Sequence, residues 1–219
     1  MHIDPLALCV EERYKLLIGA IVPRPIAWVS TISADGRLNL APFSFFNGVS
    51  ANPMSLLFCP ANKADGSEKD TLANSKPVAE GGQGEFVVNV ATESMARAMA
   101  ACAEPLPFGS SEFDAAGLKP APSTVVRPPR VEGSPLAFEC RTDRVIRLNP
   151  GAPSGGNIVL GRVVHICAAE GLISDRYHVD PAQLAAFGRM GGPTYSLTRD
   201  RFDLPMGLAA LAQADPIAH

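Results

Sequence analysis

The chain is short of several things that would have named a function outright. Its five cysteines (Cys9, Cys59, Cys102, Cys140, Cys167) are scattered over 219 residues, and no two form a C-x-x-C pair. That excludes a disulfide framework or a zinc knuckle and reads as reduced, mostly buried thiols of a cytoplasmic protein. No apolar run approaches the roughly 18–20 residues of a membrane span. The opening MHIDPLALCVEERYK has acids and a proline where a signal peptide needs an apolar core. With a formal net charge of −3 and Arg127 and Arg130 split by two prolines, no basic stripe offers itself to nucleic acid. Histidine is scarce, at four residues, and those four are far apart in sequence. G-x-S-x-G, H-E-x-x-H, the P-loop and G-x-G-x-x-G are all missing, so a hydrolase, a metalloenzyme or a Rossmann enzyme has no residue set to stand on.

What is present is a core. The hydrophobic share is 47%, and 219 residues suit one large domain, read here as 1–219 with a core over about 14–196 and an Ala-rich tail over about 205–219. Residues 25–45 read as a hairpin turning at Asp35-Gly36. MSLLFCP is a short apolar strand, a short helix is expected from Asp70 to Ser75, and a strand from Glu85 to Val90. Thr92 is a plausible N-cap for ESMARAMAACA, where Met95, Met99 and Cys102 keep helical spacing. A proline-rich loop runs from about 104 to 134; loops this long usually cover something, act, or reach a partner subunit. PLAFECRTDRVIRL and GNIVLGRVVHICAA are two further strands. Six or seven short strands with few helices and no alternating βα pattern predict a mainly β, antiparallel, Greek-key-like barrel with helical additions.

Three polar clusters are not explained by folding alone. PRPIAWVST sets Pro23 and Pro25 around Arg24, then runs through a β-favouring segment to the hydroxyls of Ser30 and Thr31. This is either a ligand platform or an ordinary barrel strand. Ser44 sits in APFSFFN, alternating with Phe43 and Phe45. Lys69-Asp70-Thr71 begins a helix, either as a solvated cap or as an anion site where a lysine meets unpaired N–H groups. His165 lies in an apolar strand and reads as a hydrogen-bonded core histidine. His178 is a loop histidine, either a surface group or one that reaches a substrate.

Together, PRPIAWVST, APFSFFN, KDT and GEFVVN resemble the flavin reductase-like, FMN-binding split-barrel family, in the branch of nitrilotriacetate monooxygenase component B and flavoredoxin. EFDAAGLKPAPS, PRVEGSPLAFECR and GRMGGPTYS extend the likeness over about 14–196. The resemblance implies a homodimeric FMN-binding split β-barrel that passes hydride from NADH or NADPH to flavin. Reduced flavin would go to a partner such as a monooxygenase; as a flavoredoxin-like carrier the protein would instead keep its FMN and hand electrons to another acceptor.

On the matching positions, Ala27, Trp28, Val29 and Ser30 with Pro42, Phe43, Phe45, Phe46 and Asn47 would run along the isoalloxazine ring. Thr31, Ser44, Lys69 and Thr71 would hold the phosphate, near Asp70 and Asn74. Arg24 and Pro25 would stiffen the approach, Arg189 near Tyr195 would lie by the flavin or a dimer contact, and His178 would stand at the open face of the ring. SKPVAEGGQ, between Asn74 and Gly84, is longer and richer in glycine than the family pattern. Metal ligands are not expected.

Overall fold

The computed structural model describes residues 1–107 and 110–212. Seven strands form one sheet: β1 (Ala27–Ile32), β2 (Leu38–Phe43), β3 (Phe46–Ala51), β4 (Met54–Phe58), β5 (Glu85–Val90), β8 (Leu136–Arg147) and β9 (Asn157–Ala168). Two ladders of two strands each stand apart, β6 (Pro120–Ala121) with β7 (Arg130–Val131) and β10 (Phe187–Arg189) with β11 (Tyr195–Leu197). The helices are α1 (Val10–Ala20), α2 (Asp70–Ser75), α3 (Ala96–Ala101), α4 (Glu112–Ala115) and α5 (Pro181–Leu184).

The order across the large sheet is β2-β1-β5-β8-β9-β4-β3, with every pairing antiparallel. Its two edges, β2 and β3, are consecutive in the chain and joined by Ser44 and Phe45 alone. In a flat sheet those edges would lie six spacings, about 29 Å, apart. The three Cα steps from Phe43 to Phe46 reach at most about 11 Å. The sheet therefore has to curl until its edges nearly meet, which makes it a split barrel. β2 is blunted against further pairing: Leu40 N–H donates to the Glu112 carboxylate at 2.9 Å, and Pro42 has no N–H to give.

Alternation along β1 sorts its side chains onto two sides. Ala27 and Val29 point inward to a cluster with Phe43, Phe58, Phe86 and Val159. Trp28 points outward to a second cluster with Leu40, Met99, Phe113 and Val131 under the helices. The described residues of the 104–134 segment pack on the outer face of the barrel. Ser30 donates to Pro129 O at 2.5 Å, Val131 N–H to Asn89 Oδ1 at 2.8 Å, and Thr124 and Val125 N–H both to the Glu139 carboxylate at 2.7 Å. Part of the long loop expected there is the α4 turn and the β6–β7 ladder.

The expected 70–75 helix and 85–90 strand match α2 and β5. Thr92 precedes a 3-10 turn and makes no side-chain cap bond. Among the elements not foreseen are β3 and α1. β3 follows β2 after only two residues, and its residues from Asn47 on are exposed, so it carries no apolar alternation. Helix α1 buries only Ile18 and leaves Val10, Tyr14, Leu16 and Leu17 exposed, so its apolar residues form no core-facing stripe. It is held instead at its ends: Cys9 N–H donates to Glu12 Oε2 at 2.8 Å at the start.

Candidate functional site

Where the inward line of β1 reaches Thr31, the barrel interior turns polar. Thr31 pairs in register with Asn39 on β2. Across the end of the barrel lies α2, whose Thr71 and Asn74, three apart, share a face. Asn39 Nδ2 donates to Thr31 Oγ1 at 3.2 Å and to Thr71 Oγ1 at 2.9 Å, and Asn74 Nδ2 donates to Thr31 Oγ1 at 3.1 Å. Both threonines are buried. In each the hydroxyl serves as acceptor, which leaves its own proton to be given. Asn39 was missed by the sequence reading; its signal was a lone amide between Leu38 and Leu40 in an otherwise apolar strand.

Lys69 stands at the start of α2; its carbonyl accepts from Ala73 N–H at 3.0 Å, and its ammonium makes no hydrogen bond or ion pair among the described residues. Although the residue as a whole is exposed, desolvation of its ammonium, then repulsion from Lys63, lowers its pKa. Lys63 itself is paired with Asp70 at 2.8 Å. A pocket of about 110 Å³ lies beside this network, lined by Asn39, Asp70 and Asn74 with Ser33, Arg37, Leu38, Ala73 and Ser110.

The glycine-rich segment after Asn74 holds this corner in place. It folds as a 3-10 turn over Val78–Glu80 and returns so that Gln83 N–H donates to Asn74 O at 2.7 Å. A Cβ on Gly82 would lie 2.0 Å from Lys76 O, so the close return requires glycine. Glu68 joins Lys76 at 2.8 Å and Arg147 at 2.9 Å, and Arg147 also reaches Glu80 at 2.7 Å. Lys76 and Arg147 hold the Glu68 carboxyl below its ordinary range even though burial, the largest single influence, pushes it up.

The rest of the expected set does not converge on this corner. Ser44 is not inside a strand; it forms the joint between β2 and β3 and accepts from Arg24 Nε at 3.2 Å. Five residue steps along the chain separate it from Asn39, about 17 Å, so it cannot share one phosphate with Thr31. Ala27, Trp28, Val29 and Ser30 are wholly buried, with β2 on one side and β5 on the other. Their backbone is committed to the sheet, which removes them as a surface for a ring. Trp28 is an outer-core residue. His178 is an exposed member of a tight turn, its N–H donating to Ser174 Oγ at 3.1 Å.

Arg24 is buried at 3% exposure. It donates to Ile18 O at 2.5 Å and Ile21 O at 2.7 Å, satisfying carbonyls at the end of α1, and to Met190 O at 2.9 Å. Desolvation, then repulsion from Arg189, lowers its pKa. Arg189 lies in β10, bonded to Gly192 O at 2.8 Å, its guanidinium 4.4 Å from the Tyr195 ring centre. Phe45 lies beside Tyr14 of α1, ring centres 6.4 Å apart. Phe46 lines an open apolar groove of about 630 Å³ with Val49, Met54, Leu56, Phe138 and Val163, and Asn47 is exposed next to it.

Compared with known proteins, residues 19–182 match the flavin reductase like domain. The chain belongs to that family. A Deinococcus radiodurans protein is 39% identical over 210 residues, covering 93% of this chain and 88% of its own. Among solved structures, nitrilotriacetate monooxygenase component B from Bacillus cereus superposes with a TM-score of 0.86 at 35% identity, covering 93% of this chain and 98% of that one. The Pseudomonas fluorescens 2-nitrobenzoate 2-nitroreductase NbaA gives 0.82 at 31% identity, with 95% and 97% covered. The family and the split-barrel fold are those the sequence motifs pointed to.

Proposed function

We propose that this flavin reductase-like protein binds FMN and uses NADH or NADPH to reduce it, supplying reduced flavin to a partner such as a monooxygenase. The observation that carries the reading is the unpaired Lys69 ammonium beside the Thr31–Asn39–Thr71–Asn74 network. A phosphate monoester is a dianion that wants a cation and several fixed donors, and this corner offers both. When bound, FMN would supply a two-electron acceptor for hydride.

The chain's own residues have a positioning task. Lys69 and Thr71 fix the phosphate, Asn39 and Asn74 orient the hydroxyls, and Asp70 is kept neutralised by Lys63. The joint at Ser44 to Asn47, about 17 Å along β2, is where an elongated ligand anchored at Lys69 would place its ring, with Pro42 and Phe43 leading to it. Hydride transfer requires alignment within roughly 3–3.5 Å and no side-chain acid or base, in keeping with a site built of hydroxyls and amides.

A homodimer belongs to the same reading. The exposed edge strand β3, with the apolar groove beside it, gives a second copy a surface to cover. Cytoplasmic residence accords with five free cysteines.

Titration of the purified chain with FMN should change flavin fluorescence at micromolar protein, and anaerobic NADH or NADPH should bleach the flavin band. Unchanged fluorescence overturns the reading. Bleaching without turnover of free FMN instead selects the flavoredoxin-like carrier.

A further inference from the structure

On the outer face of the barrel, away from the Thr31 corner in the strand order, three ligand-type side chains come together. Glu139 on β8 lies directly opposite His165 on β9. Cys167 is two residues further along β9. The carboxylate, imidazole and thiol atoms all lie within 4.8 Å of one another.

A bulge produces the arrangement. Glu139 pairs with His165 but Cys140 pairs with Val163, which leaves Val164 as an extra residue. Simple alternation would send His165 to the same side as Val163, which packs on the barrel interior. The extra residue turns His165 and Cys167 to the other side, where Cys167 packs with Val87, Val126 and Ala137. The expectation of a hydrogen-bonded core histidine fails for this reason. His165 is half-buried, and among the described residues its ring makes no hydrogen bond.

Glu139 is wholly buried. Its two oxygens accept the N–H groups of Thr124 and Val125 at 2.7 Å each, which fixes the carboxylate and still leaves lone pairs toward β9. A ligating carboxylate is ordinarily held in this way by an outer shell of hydrogen bonds. The Cys167 sulfur stands 3.5 Å from Glu139 Oε1. Oxygen and sulfur bound to one tetrahedral ion, at about 2.0 and 2.3 Å, lie about 3.5 Å apart.

We infer that Glu139, His165 and Cys167 form a binding site for a soft divalent cation of the Zn²⁺ class. On binding, the Cys167 thiol loses its proton to solvent, and the thiolate and carboxylate balance the two positive charges, so the half-buried site becomes neutral. Three protein ligands leave the fourth position to water. Through Glu139, the ion would be tied to the segment at Thr124 and Val125. None of this depends on whether the protein binds a flavin.

Co²⁺ is the probe, read as difference spectra of the full chain with and without the metal. The expected result is one Co²⁺ per chain with a near-ultraviolet thiolate-to-cobalt charge-transfer band, displaced by Zn²⁺, which binds more tightly in the divalent series. Cys167→Ser should abolish the band, and His165→Ala should weaken Co²⁺ binding by at least about tenfold. Cys59→Ser, at another half-buried thiol, should leave the band intact. Glu139 is left unmutated because it anchors the outer segment. If either variant fails to fold, the other still reports on the site, with unchanged far-ultraviolet dichroism as the check. Absence of the band in the parent, its survival in Cys167→Ser, its loss in Cys59→Ser, or undiminished affinity in His165→Ala would each overturn the assignment.

Discussion

Arg24 and Lys69 are both cations in motifs that resemble the family's flavin-binding segments, and they sit in opposite chemical situations. Arg24 is buried and uses its guanidinium on three carbonyls and the Ser44 hydroxyl. The Lys69 ammonium has no partner among the described residues, and two residues on in α2 stands Thr71, which accepts from the Asn39 amide of β2. A planar, always-charged fork suits a fixed set of acceptors, whereas an ammonium on a flexible stem is a point charge that can close on an arriving anion. A positive charge near a site is therefore no evidence of a ligand until its own hydrogen bonds have been accounted for.

The comparison is broken most severely at Arg24. Arg24→Ala leaves the carbonyls of Ile18, Ile21 and Met190 without their donor. One buried acceptor left unsatisfied costs about 1–3 kcal/mol. Since two of these three are only partly buried and can recruit water, the total loss should be about 3 kcal/mol, read as a lowered denaturant midpoint. Arg24→Lys should recover less than half of it, because an ammonium cannot span the same acceptors. A midpoint unchanged in Arg24→Ala would show that α1 does not depend on this clamp.

At Lys69 the effect should move from stability to binding. Lys69→Ala should weaken FMN by roughly tenfold to hundredfold, the equivalent of a charge-assisted hydrogen bond of about 1.5–3 kcal/mol. Riboflavin, which has no phosphate, should bind parent and variant alike, and the denaturant midpoint should stay put. Isothermal titration with both ligands at fixed ionic strength separates the outcomes. Equal FMN affinity would make Lys69 a solvated cap, and equal loss for both ligands would mean the α2 corner had been disturbed.

How much of this was legible in the residues differs by element. Strand β1 was plain because Ile26, Trp28 and Val29 are β-formers behind two prolines. Helix α2 was marked by the polar start at Lys69-Asp70-Thr71. The curl of the sheet was implicit in the APFSFFN joint, but only once β3 was known to be a strand, and β3 is an exposed edge with no apolar alternation to reveal it. The structure brings Thr31, Thr71 and Asn74 together through Asn39 and holds Ser44 apart, because strand register sets the distance of Ser44 from Thr31. His165 was expected in the core, but a bulge sets its side of the sheet. Register shifts of one residue reverse a face and leave no mark in composition.

The smallest expected effect concerns the frame around Lys69. Glu68 is bonded to Lys76 and Arg147, and these partners, against the opposing pull of burial, hold its carboxyl below the ordinary value. A carboxyl whose pKa is lower folded than unfolded binds its proton more readily in the unfolded chain. Its contribution is therefore fully present above the unfolded value of about 4.3 and is lost as pH falls through the lower folded value. Glu68→Gln keeps the shape and removes the charge, so parent and variant should differ by about 1 kcal/mol at neutral pH and converge under strongly acid conditions. Since Gln83 N–H still holds Asn74 O in the variant, FMN affinity at neutral pH should change by less than about threefold, equivalent to roughly 0.6 kcal/mol. Urea melts of both proteins across that range test the sign. A gap that widens as pH falls would mean that Glu68 is held protonated by its burial, and that Lys76 and Arg147 fix the α2 corner by shape instead of by charge.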